Sequence, residues 1–258
     1  MNIYQLQEGQ LLAFILILLR NTAFVVTSPI LGTSSVPTPV KVLFSLLLSI
    51  LIYPLAQVQN FDSLVVGEQI ILLSIRELMV GLFLGSLARM FFHAVSVSGE
   101  IIAISMGTSA AQLFNPVMGS QSNVIGQFQF LIVTVVFLAI HGHHLFISAM
   151  AESFQLVPVG VLNLNYKSFV AFVSSFQDVF ILGIKISAPI IVAVFTANIA
   201  MGIINRSVPQ IDVMVTSLPI TLLLGLAILI LTLPMMVGEM DILLQSISDQ
   251  LMHAMKVI

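Results

Sequence analysis

Nineteen charged side chains are scattered through 258 residues, eight basic and eleven acidic, and several of them sit inside apolar runs. An ionisable group at membrane depth is rare and usually paired, so each one is a functional candidate. Arg20 interrupts the apolar region Leu11–Leu31, and Arg76, Glu77 and Glu100 fall in the mostly apolar stretch 64–106. Asp178 and Lys185 lie in a third run, and Arg206 follows it in "NRSVPQ". Arg76 and Glu77 are adjacent and point to different helix faces, so they do not simply neutralise each other. Asp178 and Lys185 share a face seven residues apart, too far along the axis for contact. Some partners must therefore come from elsewhere in the fold or from other chains. Such charges serve either to fix the register of an assembly or to line a conducting path.

Other side chains offer less chemistry. In "HGHH" at 141–144 the imidazoles are possible metal ligands. His141 and His144 can share a face, but Glu152 lies two turns beyond and no HExxH motif occurs, so a polar helix end is the expected role. Ser120 in "MGSQS" lacks the G-x-S-x-G elbow of a hydrolase nucleophile. There is no cysteine, which removes disulfides, thiolate metal sites and cysteine nucleophiles together. No cofactor is expected, and the reading is non-enzymatic. With basic residues thinly spread and a net charge of −3, no nucleic-acid partner is expected either.

The elements that position these groups are helical and set by lipid. Apolar residues make up 59% of the chain and charged residues only 7%, against about 25% charged in soluble proteins. The apolar runs are continuous rather than alternating, which excludes a β-barrel pattern. The first ten residues carry no Lys or Arg, so no cleavable signal peptide is indicated.

Leu11–Leu19 would rise only about 14 Å, so a spanning helix must carry Arg20 near its middle. Insertion of that arginine costs about 2.5–3.5 kcal/mol, while the Leu, Ile and Phe before it return about 0.3–0.6 kcal/mol each, nearly cancelling it. A break follows at Ser28–Pro39, then an apolar run at Val40–Ala56. The stretch 64–106 would reach about 64 Å as one helix, twice the membrane thickness, so it must bend back or project beyond the bilayer. Gly107–Asn123 is a long Gly/Ser/Asn/Gln-rich loop, of the kind that is functional or disordered. Val124–Ala139 is a clear span, a break falls near Pro158 and Gly160, and Ser168–Ile204 is overlong and expected to be interrupted at Pro189. Val213–Val237 is the cleanest span, and Gly238–Ile258 has amphipathic helical spacing.

The expected division is thus an N-terminal hairpin at 1–62, a long charged helical region at 63–106, a central loop at 107–123, C-terminal hairpins at 124–237 and an amphipathic helix at 238–258, within one all-α membrane subunit. Arg20 and Lys41 flank the first break and place that loop in the cytoplasm by the positive-inside rule, but the other basic residues sit inside the runs and give no topology.

Two residue patterns bear on contact. Gly81 and Gly85, then Gly99, Ala103 and Gly107, have small-xxx-small spacing and line a stripe where another backbone can approach. That stripe serves packing within the chain or against a partner subunit. Met106 and Met118 bracket the central loop; methionine fills gaps in any core, and flexible thioethers around a loop could also seal a pore.

Several strings, in order along nearly the whole chain, resemble the FliR family of flagellar export-gate proteins. They are "RNTAFVVTSPILGTSSVPTPVKVLFSLLLSILIYP" at 20–54, "REL" at 76–78 with Gly81 and Gly85, "SGE" at 98–100, and "FNP" at 114–116. "HGHHLFISAMAESFQLVPVG" at 141–160 and "ANIAMGIINRSVPQIDVMVTSLP" at 197–219 complete the set, with "GIINRSVPQ" the most specific. The resemblance implies an all-helical subunit of a type III secretion export gate. It implies assembly with FliP and FliQ into a helical ring around a narrow channel raised out of the membrane plane, with FlhB and FlhA as further partners and unfolded flagellar proteins as cargo. It also implies an inner-membrane location in the flagellar basal body, with lipid in contact. The family's loop matching Met106–Gly126 folds into the channel as a plug, which carries over to Gly107, Phe114, Asn115 and Pro116. Many relatives have Asp where this chain has Asn115, so no role for a negative charge carries over there. The alternative within the class is the equivalent subunit of a virulence injectisome, which shares the fold and the "NR-x-x-PQ" turn. A secondary transporter would show two related halves, and no convincing internal repeat is present.

Overall fold

A computed structural model of the chain describes residues 8–56, 67–108, 124–159, 166–207 and 213–257. Every regular element among them is helical. In chain order these are α1 (Glu8–Thr27), α2 (Thr38–Ile52), α3 (Gly67–Ser105), α4 (Val124–Ala139), α5 (Gly142–Leu156), α6 (Tyr166–Ser207) and α7 (Val213–Val257). Among the described residues, Gly9–Thr27, Ile70–Ser105, Phe176–Ser207 and Thr216–Gly238 are long and apolar enough to cross a membrane, and α4 and α5 pass that test as a broken pair.

One expectation about continuity is resolved and two are corrected. Of the two forms expected for the run 64–106, the described part takes the long one: α3 is one helix of 39 residues, rising about 58 Å. Pro189 lies inside α6 without ending it, and the helix continues for 42 residues. A helix interior absorbs the lost hydrogen bond and the ring clash by local bending when both sides are held by packing. The division at 237/238 is likewise absent, since α7 runs 45 residues through Pro219, Pro234 and Gly238. A change from all-round apolar to amphipathic sequence alters what the helix faces, not whether it continues.

The chain divides into two compact units. The first comprises Met1–Met90, His141–Ser175 and Gln245–Ile258. In it, α1 and α2 form a hairpin joined by turns over 28–36, tightened by the Ser28 carbonyl accepting from Gly32 N at 3.0 Å. Pro37 precedes α2 and Pro39 sits in its first turn, where a missing N–H leaves no helical bond unmade. Asn21 Nδ2 donates to Ser49 Oγ at 2.9 Å across the hairpin, and Phe14 meets Tyr53 edge-on at 6.0 Å. The opposite face of α2 leaves Val40, Leu43, Leu47, Ile50 and Leu51 exposed.

The second unit comprises Phe91–Ile140 and Phe176–Leu244. Its core gathers Ile102 and Met106, Ile190 and Val194 of α6, and Leu229 of α7. Phe92 also packs between Phe130 and Phe137 of α4, at 5.6 and 5.4 Å between ring centroids. Only 22% of the Thr216–Gly238 window is buried, so most of that apolar surface awaits lipid or another protein.

Candidate functional site: a buried ion pair and the root of the central segment

Arg20 finds an acid on another helix. Its Nε donates to Glu77 Oε2 at 2.6 Å, with the two side chains 0% and 1% exposed. Nη1 reaches the backbone carbonyls of Ser153 at 3.2 Å and Val157 at 3.1 Å, and Ser153 Oγ at 3.4 Å. Ser153 lies in the last turn of α5, where its carbonyl also accepts from Val157 N at 2.9 Å, and Val157 is the capping residue just after it, at the end of the helix whose dipole favours a cation. The guanidinium carbon also lies 4.2 Å from the centre of the Phe154 ring. One arginine thus ties α1 to α3 and α5. Among the described residues, its Nη2 has no acceptor.

The helices approach closely because Gly81 and Gly85 carry no side chain. A Cβ at Gly81 would strike the Arg20 carbonyl oxygen and come 2.8 Å from Ala23 Cβ. One at Gly85 would strike Thr27 Oγ1 and come 3.0 Å from the Phe24 carbonyl oxygen. On this stripe the small residues therefore pack α3 on α1 within the chain. Further along α3, a Cβ at Gly99 would strike Gly126 Cα of α4. Ala103 is buried, and its carbonyl accepts from Thr108 N at 3.0 Å and Thr108 Oγ1 at 2.8 Å.

That carbonyl belongs to the root of the central segment. Gly107 has φ of +78°, and its N–H donates to the Ile104 carbonyl at 3.1 Å. With the Thr108–Ala103 bond, this is a Schellman ending, in which the left-handed residue is ordinarily glycine. Met106, one residue earlier, is fully buried in the core of the second unit. It occupies the position of a packing residue. Phe114, Asn115, Pro116 and Met118 lie outside the described residues.

The other candidate charges differ in burial. Glu100 and Arg206 are exposed, Arg76 is half-buried, and Asp178 and Lys185 are exposed on α6. Arg20, buried in its ion pair, is not a free flanking charge of the first break. His141 has φ of 59°, a left-handed conformation uncommon for a residue with a side chain, where the chain passes from α4 to α5. The His143 and His144 rings lie 4.3 Å apart. Among the described residues, no group of three or more His, Asp or Glu is arranged to hold a metal ion.

Sequence reasoning missed Ser153, Phe154 and Val157, which hold Arg20, and Thr221 and Gly225, which meet Met106. The first three carry no signal of their own. Gly225 does: an isolated glycine inside the cleanest apolar helix implies a packing reason.

Comparison with known proteins places these features in a family. Residues 11–247 match the family model described as bacterial export proteins, family 1. The chain is 34% identical to the flagellar biosynthetic protein FliR of Bacillus subtilis, covering 84% of this chain and 85% of that one. It is 30% identical to FliR of Aquifex aeolicus, over 91% and 90%, and 30% identical to FliR of Escherichia coli, over 84% and 83%. The ordered strings seen in the sequence, the all-helical architecture and a match that runs through almost every helix agree: the chain belongs to the bacterial export proteins, family 1, the family of the flagellar biosynthetic protein FliR.

Proposed function

We propose that this protein is a non-enzymatic subunit of the flagellar type III secretion export gate. With FliP-like and FliQ-like subunits, and with FlhB and FlhA nearby, it forms a channel that passes unfolded flagellar proteins across the inner membrane of the basal body. The observation that carries this reading is the family match, which spans residues 11–247 and includes flagellar relatives at 30% identity or more over most of both chains. At the coarser level the chain is a membrane protein and a component of the flagellar export apparatus.

Two physical observations support the finer reading. Helices of 39, 42 and 45 residues would rise about 58, 63 and 67 Å, far beyond a hydrocarbon core of about 30 Å. A helix that outreaches the bilayer needs protein on its flanks, as a subunit of a raised assembly has. Exposed Glu100 and Arg206, on helices that are mostly apolar, likewise suit contact with sister subunits better than contact with lipid.

In this gate the segment 107–123 obstructs the closed channel, with Gly107, Phe114, Asn115, Pro116 and Met118 as its working residues and Met106 as its buried root. Cargo displaces the segment, so closed and open states differ by only a few kcal/mol. Passage is read by channel width and apolar lining rather than by sequence. The test replaces residues 109–122 with a short Gly–Ser linker, which leaves the helix ending at Gly107 intact. The reconstituted gate should then leak K+. A leak that stays at the closed wild-type level means that the segment is not the obstruction.

A further inference from the structure

Two helices mark the same level in the membrane. In α6, residues 186–205 carry no charge and rise about 30 Å, the thickness of a hydrocarbon core. Lys185 and Arg206 bracket that stretch, and both are exposed. In α7 the uncharged stretch 213–238 ends at Glu239. Met235 and Met236, within one turn of that end, line one groove with Thr232 and with Lys185, Ile186 and Pro189 of α6. The groove therefore stands at the edge of the apolar layer, where phospholipid headgroups begin. Beyond it, towards Tyr166, α6 continues for about 28 Å. The groove is partly open, with about 250 Å³ of space. That is below the roughly 300–1,000 Å³ of an enclosed small-molecule pocket, so it suits a headgroup rather than a whole ligand.

Its polar groups ask for an anion and for donors. Among the described residues nothing accepts from the Lys185 ammonium, and Asp178 lies about 10 Å further along α6. Pro189 has no N–H, so the Lys185 carbonyl one turn earlier lacks its helical donor. A backbone carbonyl away from water needs another one. Thr232 Oγ1 donates to the Leu229 carbonyl at 3.0 Å, which leaves its own oxygen able to accept. A carboxylate from a neighbouring helix would satisfy the lysine but bring no donor. An ethanolamine headgroup would bring a donor but set its ammonium beside Lys185. A phosphate diester bearing a hydroxyl answers both needs.

We propose that this groove binds an anionic glycerophospholipid whose headgroup carries hydroxyls. The phosphate pairs with Lys185, a headgroup hydroxyl donates to the Lys185 carbonyl or to Thr232 Oγ1, and an acyl chain follows Ile186, Pro189 and Met235 into the apolar layer. The bound lipid fixes the height of α6 and α7 in the membrane. The site rests on the membrane character of the chain and not on the obstruction of a channel.

The test titrates the purified protein, with the subunits that accompany it, with dioctanoyl phosphatidylglycerol in lipid-free micelles and counts bound lipid by native mass spectrometry. Wild type should hold one such lipid per chain at this site, and Lys185→Gln should weaken it about fivefold or more. Lys185 is exposed, so that variant keeps the fold, and Lys185→Arg should bind as wild type does. Pro189→Ala restores the missing N–H and should weaken phosphatidylglycerol about threefold. Dioctanoyl phosphatidylmethanol has the same charge and no hydroxyl, so it should bind wild type and Pro189→Ala alike. Equal binding of phosphatidylglycerol by wild type and Lys185→Gln overturns the site. Displacement of the lipid by an equal concentration of inorganic phosphate makes it a free-anion site and overturns the lipid. Unchanged lipid binding with loss of companion subunits from Lys185→Gln gives the lysine to a neighbour's carboxylate and overturns it too.

Discussion

Removing the Arg20 charge should strongly destabilise the first unit, and removing both charges should restore most of its stability. The magnitude follows from burial. An exposed ion pair contributes about 0–1 kcal/mol, but Arg20 and Glu77 are 0% and 1% exposed and 2.6 Å apart. Breaking such a pair from one side costs about 3–5 kcal/mol, because the remaining charge loses its counterion in a low-dielectric site. Against a total stability of about 5–15 kcal/mol, that is about a fifth or more. Glu77→Gln should fall at the lower end of that cost. Arg20 would keep the Ser153 and Val157 carbonyls and the Phe154 ring. Arg20→Met should fall at the upper end, because it unties α1 from both α3 and α5. In Arg20→Met with Glu77→Leu no charge is stranded, and the loss should shrink to about 1–3 kcal/mol, the penalty for a Val157 carbonyl without its arginine donor. Denaturant titration of the chain in mixed micelles reads these values, and limited proteolysis in native membranes checks their order. Single variants that cost under about 1 kcal/mol, or a double variant as unstable as Arg20→Met, would refute the reasoning.

Other substitutions test the packing. Gly81→Ile and Gly99→Val should each reduce folded protein in the membrane, by about 3 kcal/mol in titration, because each clash is with backbone and cannot be relieved by a rotamer change. Wild-type amounts of either variant would mean the helices are not so close. His141→Gly should be neutral or stabilising by up to about 1 kcal/mol, since left-handed backbone disfavours a side chain. His141→Pro should abolish the α4–α5 connection, because proline cannot adopt φ of 59°. Equal behaviour of the two variants in a protease-protection assay would contradict the left-handed joint.

The sequence made the helical class plain, and it placed α4 at its observed bounds, because a continuous apolar run between polar breaks has only one economical reading in lipid. It also exposed Arg20 as a group in need of an acid. It did not name Glu77, because a pairing across 57 residues is written in the tertiary fold and leaves no local spacing. The glycine stripe was visible, yet the choice between α1 and a foreign helix depended on which backbone lay opposite. Pro189 misled because propensity describes an isolated helix, whereas α6 is held on both sides of its proline. Met106 illustrates the same limit. Its neighbours in sequence suggested a loop edge, and its neighbours in space make it core.

The central claim is that these apolar helices are covered chiefly by sister subunits around a conduit. The direct measurement is a density map of the chain extracted from native membranes in mild detergent. The account predicts a hetero-oligomer enclosing a channel, with protein against the exposed faces of α2 and α7 and a partner group beside Glu100. A lone chain, with those faces in detergent and no companion subunit, would contradict it.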